Sequence, residues 1–429
     1  FNIHPLSYGQ QALWFIWQLE PENSAYNQVF TARICNNLDR AKLRSAFLKL
    51  VEHHPCLRST FTKIGQQPIQ RIHQYFELDW QNLDVSSCDE TELYSLVVRE
   101  SKIPFDLENE PVIRIRLFTI SPTEHILLIT IHLIVTDGWS LDIILSELSK
   151  LYESQVTDCS TSLNILNNSY SDYVRFQEEM LEGAQGNKLF SYWKSKLQGE
   201  LPELNLATDK IRPAIQTYNG ASINFDLSEK LTQKLRQLAI NNNATFYMTL
   251  LAAFQVFLYR YTGTDDILVG SPVAARLEPQ FREIVGYFNN LVVIRGNLSN
   301  NPSFKKFLNQ ICQTVNEALI HQNYPFSLLV EKLKINRVPS RSPIFQASFA
   351  LQKWRQSKNI QNLITGEVEN TIDWGGLKLQ PFEISSQAGQ NDLDLEIFEG
   401  STCIKGRFKY NIALFNEPTI EVMVAHFKN

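Results

Sequence analysis

The side chains with the clearest chemical potential lie in the segment 131–140, which reads Ile-His-Leu-Ile-Val-Thr-Asp-Gly-Trp-Ser. The imidazole of His132 could take up or deliver a proton, and the carboxylate of Asp137 could orient a cation or a backbone amide. Both residues also have simpler interpretations. A single histidine within an apolar strand is more often a buried structural residue, and an aspartate before a glycine is typical of a turn or a helix cap.

Two predicted strands lead into this segment. Residues 113–118 and 124–135 are rich in Ile, Leu, Val and Thr, and the second run is apolar at nearly every position. Such a run is typical of an interior strand that is covered on both faces. Because side chains alternate along a strand, we expect His132 and Leu133 to face in opposite directions.

A predicted helix follows the segment. After Gly138, apolar residues repeat at three-four spacing, so a helix is expected to begin near Ser140. Asp137 and Gly138 would then occupy a strand-to-helix turn. Turns of this kind in α/β folds are frequent sites of functional residues.

The rest of the chain predicts two α/β lobes. Polar, turn-rich segments at 155–169 and 199–220 flank an amphipathic run, and we place the boundary within that run near residue 178. The expected lobes are therefore 1–178 and 179–429. Helices are expected at 7–19, 40–54, 228–241 and 245–261 and at the end of the chain, and further strands at 266–273, 290–295 and 345–351.

Length and composition limit the possible functions. A chain of 429 residues exceeds what one hydrophobic core usually supports, and 44% hydrophobic with 20% charged residues is ordinary for a globular protein. The net charge of −5 is spread without long runs of one sign, so nucleic acid is not expected as a partner. No apolar stretch approaches the roughly 20 residues of a membrane span, so a membrane partner is not expected either.

The cysteines and histidines do not predict a metal site. Six cysteines lie far apart without Cys-x-x-Cys spacing, which is typical of reduced thiols in a cytoplasmic protein. His53 and His54 end a predicted helix, where adjacent side chains diverge, so metal binding there is not expected. The chain begins at Phe1, and we expect it to be a domain of a longer protein.

Seven separated segments resemble, in order, the motifs of the condensation domains of nonribosomal peptide synthetases. One short pattern such as His-x-x-x-x-Asp-Gly arises by chance in many strand-turn segments, whereas seven in register over most of the chain are a specific signal. The first departs from the family pattern at Gly9 and Ala12, and the fifth has Asn289 in place of the usual valine. The segments are 6–14, 54–61, 132–137, 170–173, 285–295, 321–326, and Arg337 followed by 339–346.

The resemblance implies a fold and an activity. Two lobes similar to chloramphenicol acetyltransferase, each a mixed sheet with helices, would form a V around a substrate tunnel. Donor and acceptor peptidyl carrier domains, beside an adenylation domain of the same assembly line, would present thioesters on phosphopantetheine arms, and the chain itself would hold no cofactor. The donor acyl or peptidyl group would pass to the acceptor amine and form an amide. Heterocyclisation is disfavoured because the additional aspartates of the cyclising relatives are absent.

The resemblance also implies roles for the motif residues. Leu133 stands where the family has the second histidine of His-His-x-x-x-Asp-Gly, and leucine has no donor, acceptor or titratable proton. The first histidine, here His132, is structural in the family, and strand alternation predicts that it cannot replace the missing one. The family's aspartate is anchored by an arginine from a strand of the other lobe, which predicts an ion pair between Asp137 and Arg276.

Five further residues are candidates for the substrate path. Gly138 is expected to meet a backbone requirement, either a positive φ or close approach of the pantetheine arm. Trp139 and Ser140 would start the helix, whose amides could orient a carbonyl oxygen, and both would line the tunnel. Tyr287 and Asn290 are candidates for the same lining, and a polar turn beside a strand explains them equally well.

Two functional hypotheses follow. The first is an attenuated condensation enzyme, which aligns its substrates but lacks the roughly 10² to 10⁴-fold that a general base contributes. The second is a non-catalytic platform that binds carrier domains or recruits a tailoring enzyme. A free-standing acyltransferase is the weakest alternative, because it also needs a catalytic histidine.

Overall fold

The computed structural model describes residues 1–159, 161–335, 338–356, 358–365, 371–385, 389–400 and 404–429. Arg337 of the seventh motif and Cys403 lie outside these residues. The helices are α1 (Tyr8–Leu19), α2 (Arg40–His53), α3 (Glu90–Ser101), α4 (Gly138–Val156), α5 (Tyr170–Glu182), α6 (Ala184–Lys196), α7 (Glu229–Asn241), α8 (Phe246–Thr262), α9 (Phe304–Ile320), α10 (Phe326–Lys332), α11 (Lys358–Thr365) and α12 (Glu417–Lys428). The strands are β1 (Asn2–Pro5), β2 (Asn27–Ile34), β3 (Ser59–Ile64), β4 (Gln67–Ile72), β5 (Asp79–Asp84), β6 (Ile113–Ser121), β7 (Glu124–His132), β8 (Gly220–Leu227), β9 (Asp266–Val273), β10 (Asn290–Asn297), β11 (Ala347–Gln352), β12 (Ile372–Trp374), β13 (Leu377–Pro381), β14 (Leu393–Glu399) and β15 (Ile404–Asn411).

The first of two compact units is built from three segments of the chain, Phe1–Glu179, Arg276–Phe288 and Trp354–Ile384. It contains a sheet of order β12-β13-β2-β7-β6-β5 and a smaller sheet of order β1-β4-β3. Strand β7 pairs with β2 on one side and β6 on the other, both antiparallel. It is buried along nearly its whole length, as its continuous apolar sequence predicts.

Two helices supply much of the core of this unit. Leu43 and Phe47 of α2, together with Ile144 and Leu148 of α4, are fully buried in the same hydrophobic cluster as Ile129 of β7. Removing a side chain of this size from water contributes roughly 1.5 to 3 kcal/mol. The packing of α4 against α2, in the core shared with the sheet, therefore fixes the direction in which its first turn points.

The second unit comprises Met180–Ala275, Asn289–Lys353 and Ser385–Asn429. Its sheet has the order β10-β9-β11-β14-β15-β8, with parallel pairing of β11 to both neighbours and antiparallel pairing elsewhere. An aromatic cluster joins helix and sheet through Phe254 and Phe257 of α8, Phe349 of β11, Phe408 of β15 and Phe427 of α12. Each unit thus combines a mixed sheet with helices, and the predicted α/β class is confirmed.

Most of the predicted elements are present, and their ends follow the local sequence. Ser228 and Thr245 cap α7 and α8 through their hydroxyl oxygens. Gly263 ends α8 with φ of 69°, a left-handed conformation that favours glycine. The lobe boundary near residue 178 stays a prediction. Two segments that follow it in the sequence, Arg276–Phe288 and Trp354–Ile384, pack in the first unit.

Among the described helices, none has the length and apolar character needed to cross a lipid bilayer. The described cysteines are free thiols, namely Cys35, Cys56, Cys88, Cys159 and Cys312.

Candidate functional site

Strand β7 ends at His132, and Leu133–Val135 form a single 3₁₀ turn. The sequence predicted a strand through residue 135, which is wrong for its last three residues. The Nδ1 atom of His132 accepts a hydrogen bond from the amide of Ile134 at 3.1 Å and caps the turn. Strand alternation therefore applies only as far as His132, and it does not set the direction of Leu133.

His132 is held as a neutral, buried side chain. Its ring stands perpendicular to that of Phe105, with centroids 6.0 Å apart. Burial lowers the pKa of His132 to about 3, so the imidazole is uncharged at neutral pH. Because Nδ1 accepts a hydrogen bond, the single ring proton is assigned to Nε2. A general base works best with a pKa near the working pH, and His132 is far from it.

Leu133 is half-buried at the start of the 3₁₀ turn and packs against the core of the first unit. Its amide donates to the carbonyl oxygen of Tyr26 at 2.9 Å, which continues the pairing next to β2. The backbone here is thus well supported, while the side chain adds only apolar surface.

Asp137 caps helix α4 and also forms an ion pair. Its Oδ1 atom accepts from the amide of Ser140 at 2.7 Å, and its Oδ2 atom accepts from the amide of Phe288 at 3.0 Å. The Nη2 atom of Arg276 lies 3.1 Å from Oδ1, and neither side chain is exposed to solvent. The helix-cap interpretation and the ion-pair interpretation of this aspartate therefore both describe the structure.

Arg276 lies beyond the end of β9, not within a strand, and belongs to the first unit together with Asp137. Its Nη1 atom donates to the carbonyl oxygens of Phe281 and Ile284. Its Nη2 atom also donates to the hydroxyl of Ser140 at 2.6 Å. The guanidinium group therefore holds the loop 276–288 against the first turn of α4.

Ser140 completes this buried network. Its hydroxyl donates to the carbonyl oxygen of Gly286 at 2.8 Å and accepts from the amide of the same residue at 3.1 Å. The sequence led us to expect Ser140 at a tunnel surface, but its side chain is fully buried. The hydroxyl is occupied in positioning residues 286–288.

Gly138 and Trp139 form the first turn of α4. Gly138 is exposed and is the first residue of the helix, which therefore begins two residues before the predicted Ser140. The positive φ considered for Gly138 is wrong, because this glycine is not among the residues with a positive φ. The indole of Trp139 donates to the carbonyl oxygen of Arg282 at 3.1 Å. The guanidinium of Arg355 lies 4.0 Å from the centre of the Trp139 ring, within cation–π range. Sequence reasoning missed Arg355, because no local pattern relates it to a residue so distant in the chain.

The first, fourth and fifth motifs meet at Tyr170. Its hydroxyl donates to the carbonyl oxygen of Tyr287 and lies 2.8 Å from the Oγ atom of Ser7. Its ring covers Gly286, where an added Cβ would lie 2.1 Å from Cδ2 of the tyrosine. The half-buried Tyr287 ring packs on Gly9, where a Cβ would lie 2.7 Å from Cε1, and burial raises the pKa of Tyr287. Gly9, a departure from the family pattern, thus makes room for Tyr287.

Asn290 lies in the second unit, and both polar atoms of its side-chain amide form hydrogen bonds. The Nδ2 atom donates to the carbonyl oxygens of Gln322 and Tyr324 at 2.7 and 2.6 Å, and Oδ1 accepts from the amide of Phe326 at 2.9 Å. Asn290 therefore connects the fifth motif to the turn of the sixth. A role for it in lining a tunnel stays a prediction.

One prediction about histidine geometry is wrong. Helix α2 ends at His53, and His54 has an extended backbone with φ of −108° and ψ of 96°. The two side chains therefore do not diverge as neighbours on one helix would, and their ring centres lie 4.7 Å apart.

Comparison with known proteins gives one consistent result. The family model described as "Condensation domain" matches residues 2–429. One of the subunits of the linear gramicidin synthase of Brevibacillus parabrevis is 37% identical over 429 residues, which cover 99% of this chain and 8% of that protein. The chain thus spans a small fraction of the length of this relative.

Solved structures agree in fold. A four-domain nonribosomal peptide synthetase bound to AMP and glycine superposes with a TM-score of 0.91 at 25% identity, covering 100% of this chain and 32% of that one. The X-domain from teicoplanin biosynthesis, in complex with OxyB, superposes with a TM-score of 0.85 at 22% identity, covering 100% of this chain and 92% of that one.

Proposed function

The chain belongs to the condensation domain family, and on this basis we propose that it forms an amide bond in nonribosomal peptide synthesis. The donor is a carrier-bound acyl or peptidyl thioester, and the acceptor is the amine of a carrier-bound aminoacyl group. The acceptor nitrogen attacks the thioester carbonyl carbon, so a C–N bond forms and the C–S bond breaks. The pantetheine sulfur leaves as a thiolate and takes up the proton that the amine gives up, so the products are an amide and a free thiol. Donor and acceptor carrier domains and an adenylation domain of the same assembly line are the proposed partners.

The buried network of Asp137, Arg276 and Ser140 carries this proposal. It fixes the first turn of α4 against residues 286–288 through hydrogen bonds that leave the Ser140 hydroxyl and both carboxylate oxygens of Asp137 satisfied. Such a network is useful where small errors of position are costly. Within the described residues only the Nε atom of Arg276 in this network has no hydrogen-bond partner. The network forms although Leu133 occupies the 3₁₀ turn just before it, which supports a domain that still aligns substrates.

We propose further that Leu133 reduces the rate without abolishing it. A neutral amine is already a competent nucleophile, and alignment of two reacting groups can contribute several kcal/mol. A general base adds about 10² to 10⁴ in rate, or roughly 3 to 5 kcal/mol. His132 does not supply that base, because its pKa is lowered to about 3.

Restoring the histidine tests this function. The Leu133→His variant is expected to form amide faster than the wild type, by up to about 10² to 10⁴-fold, when donor and acceptor are both loaded on carrier domains. Product is measured by mass spectrometry after hydrolysis from the acceptor carrier. Leu133→Met is the matched control, because it keeps an apolar side chain and is expected to leave the rate unchanged. An unchanged rate in Leu133→His would count against the proposal.

A second candidate function is a platform without condensation activity. Leu133 favours it, since the position has no group able to exchange a proton. The X-domain in the structural comparison is described in complex with OxyB, and by analogy this chain would bind carrier domains or recruit a tailoring enzyme. Carrier binding by calorimetry with no amide after long incubation would support the platform. Amide formation that depends on this domain would eliminate it.

A further inference from the structure

A second polar cluster lies in the first unit, apart from the segment 132–140. It consists of His53, His54 and Glu147, and one ligand atom of each residue lies within 4.8 Å of the ligand atoms of the other two. The Nε2 atom of His54 is 2.6 Å from Oε2 of Glu147. The cluster is possible because α2 ends at His53, so that His54 turns out of the helix.

Burial and charge make this cluster unusual. The side chains of His54 and Glu147 are 1% and 8% exposed. Among the described residues, no lysine or arginine forms an ion pair with Glu147, whose partner is the imidazole of His54. The Nε2 atom of His53 is buried and, within the described part of the chain, has no hydrogen-bond partner. The group therefore offers a carboxylate oxygen and the imidazole of His54, both on almost fully buried side chains, and an unpaired buried nitrogen of His53.

We propose that His53, His54 and Glu147 bind a divalent transition-metal ion, with Zn²⁺ as the best match. Two imidazole nitrogens and one carboxylate oxygen are a ligand set that zinc accepts, with a fourth position left for water. Ligand atoms about 2.0 to 2.2 Å from one tetrahedral ion lie roughly 3.2 to 3.5 Å from each other. The contact between His54 and Glu147 would open by less than about 1 Å, and separations of up to 4.8 Å would close by up to roughly 1.6 Å, which side-chain rotation can provide.

The position of the cluster indicates what the ion does. His54 opens the second motif, and Glu147 lies in α4, whose first turn contains Asp137 and Ser140. A bound ion would connect the end of α2 to the middle of α4. We therefore assign the site a structural role, in which it stabilises the first unit and does not contact the substrates.

Metal titration of the full chain tests the proposal. After treatment with a chelator and its removal, the protein is titrated with Zn²⁺ in competition with a chromophoric chelator, and separately with Co²⁺. We expect one ion per chain, a rise in the melting temperature, and the visible absorption of tetrahedral Co²⁺. His53→Gln should lower the affinity by more than the roughly 10- to 100-fold that loss of an outer-shell partner costs.

The choice of variants separates binding from folding. His53→Gln leaves the hydrogen bond between His54 and Glu147 in place, so the metal-free variant is expected to melt at the same temperature as the metal-free wild type. His73→Gln is the control, because His73 lies in the same unit and contacts Thr60, outside the cluster. Equal zinc affinity of His53→Gln and wild type, or the absence of stoichiometric binding to the wild type, would overturn the proposal.

Discussion

His132 and Leu133 are neighbours that fail as a general base for different reasons. Leu133 has no titratable group, and burial keeps His132 neutral with its Nδ1 atom occupied by the amide of Ile134. In the proposed condensation, the proton of the acceptor amine would therefore leave without a protein base, and the departing pantetheine thiolate would take it up. At the scale of residues, the proposed function therefore rests on the positioning of the two substrates.

The buried histidine predicts a pH dependence of stability. The folded pKa of His132 is about 3, below the value of about 6.5 in an unfolded chain, so between these values the unfolded state binds one more proton. Stability is therefore lost as the pH falls through this window, by about 1.4 kcal/mol per pH unit. Between pH 6.5 and 5 the wild type should lose about 1.6 kcal/mol more than His132→Asn, because the unfolded histidine is already half protonated at pH 6.5.

Urea unfolding at several pH values measures this difference. The asparagine of the His132→Asn variant would not titrate, but its amide oxygen could still accept from Ile134, so the variant controls for the lost hydrogen bond. Comparison with the variant also removes the contributions of the other histidines. Parallel stability curves for the two proteins would show that His132 is not held neutral.

At the scale of residues, the successful prediction from sequence came from the resemblance to the condensation-domain motifs. The pair of Asp137 and Arg276 was predicted from the resemblance, and the structure places the two residues 3.1 Å apart. Glu147 and Asp142 were missed, although a signal was present: both are acidic residues within the otherwise apolar face of α4, and both are buried. An acid in such a place predicts a buried partner, but the sequence does not say which one.

At the scale of elements, helix α4 is the main organiser of the first unit. Beyond its first turn, Oδ2 of Asp142 accepts from the amides of Arg355 and Gln356 at 2.7 and 2.8 Å. One turn further along, the carbonyl oxygen of Leu145 accepts from the indole of Trp374 at 3.1 Å. The helix thus holds the segment that brings β12 and β13 to the edge of the sheet beside β2.

Removing the Asp142 carboxylate should loosen that segment. Hydrogen bonds to a charged acceptor contribute about 1.5 to 3 kcal/mol each, so in Asp142→Ala amide exchange in β12 and β13 should speed up at least about 10-fold. Hydrogen–deuterium exchange with mass spectrometry measures it. Asp142→Asn retains one acceptor oxygen and should show a smaller increase. Unchanged protection in Asp142→Ala would mean that other contacts hold the segment.

At the scale of the whole molecule, each unit is assembled from three separate stretches of chain. Hydrophobic periodicity predicted the helices and strands, because those patterns are local. It did not predict that Arg276–Phe288 and Trp354–Ile384 belong to the first unit, because such packing depends on contacts between residues hundreds of positions apart. The lobe boundary near residue 178 was predicted from local composition alone, and it stays a prediction.

This composition predicts that the first segment is not stable alone. A fragment of residues 1–179 would lack Arg276, leaving the carboxylate of Asp137 buried without its ion pair, and would expose the edge of β2 that pairs with β13. It is expected to aggregate or to lack a cooperative thermal transition, as judged by size-exclusion chromatography and calorimetry with the full chain as control. A monomeric fragment with a sharp transition would contradict this expectation.

The pairing of β13 with β2 also delays completion of the sheet during synthesis on the ribosome. Strand β13 leaves the ribosome roughly 350 residues after β2. At about 5 to 20 residues per second, translation of that interval takes tens of seconds. During that interval the edge of β2 is open to pairing with other chains. We expect chaperones that bind exposed strands to protect this edge of the nascent chain. The edge is covered once translation has reached residue 381.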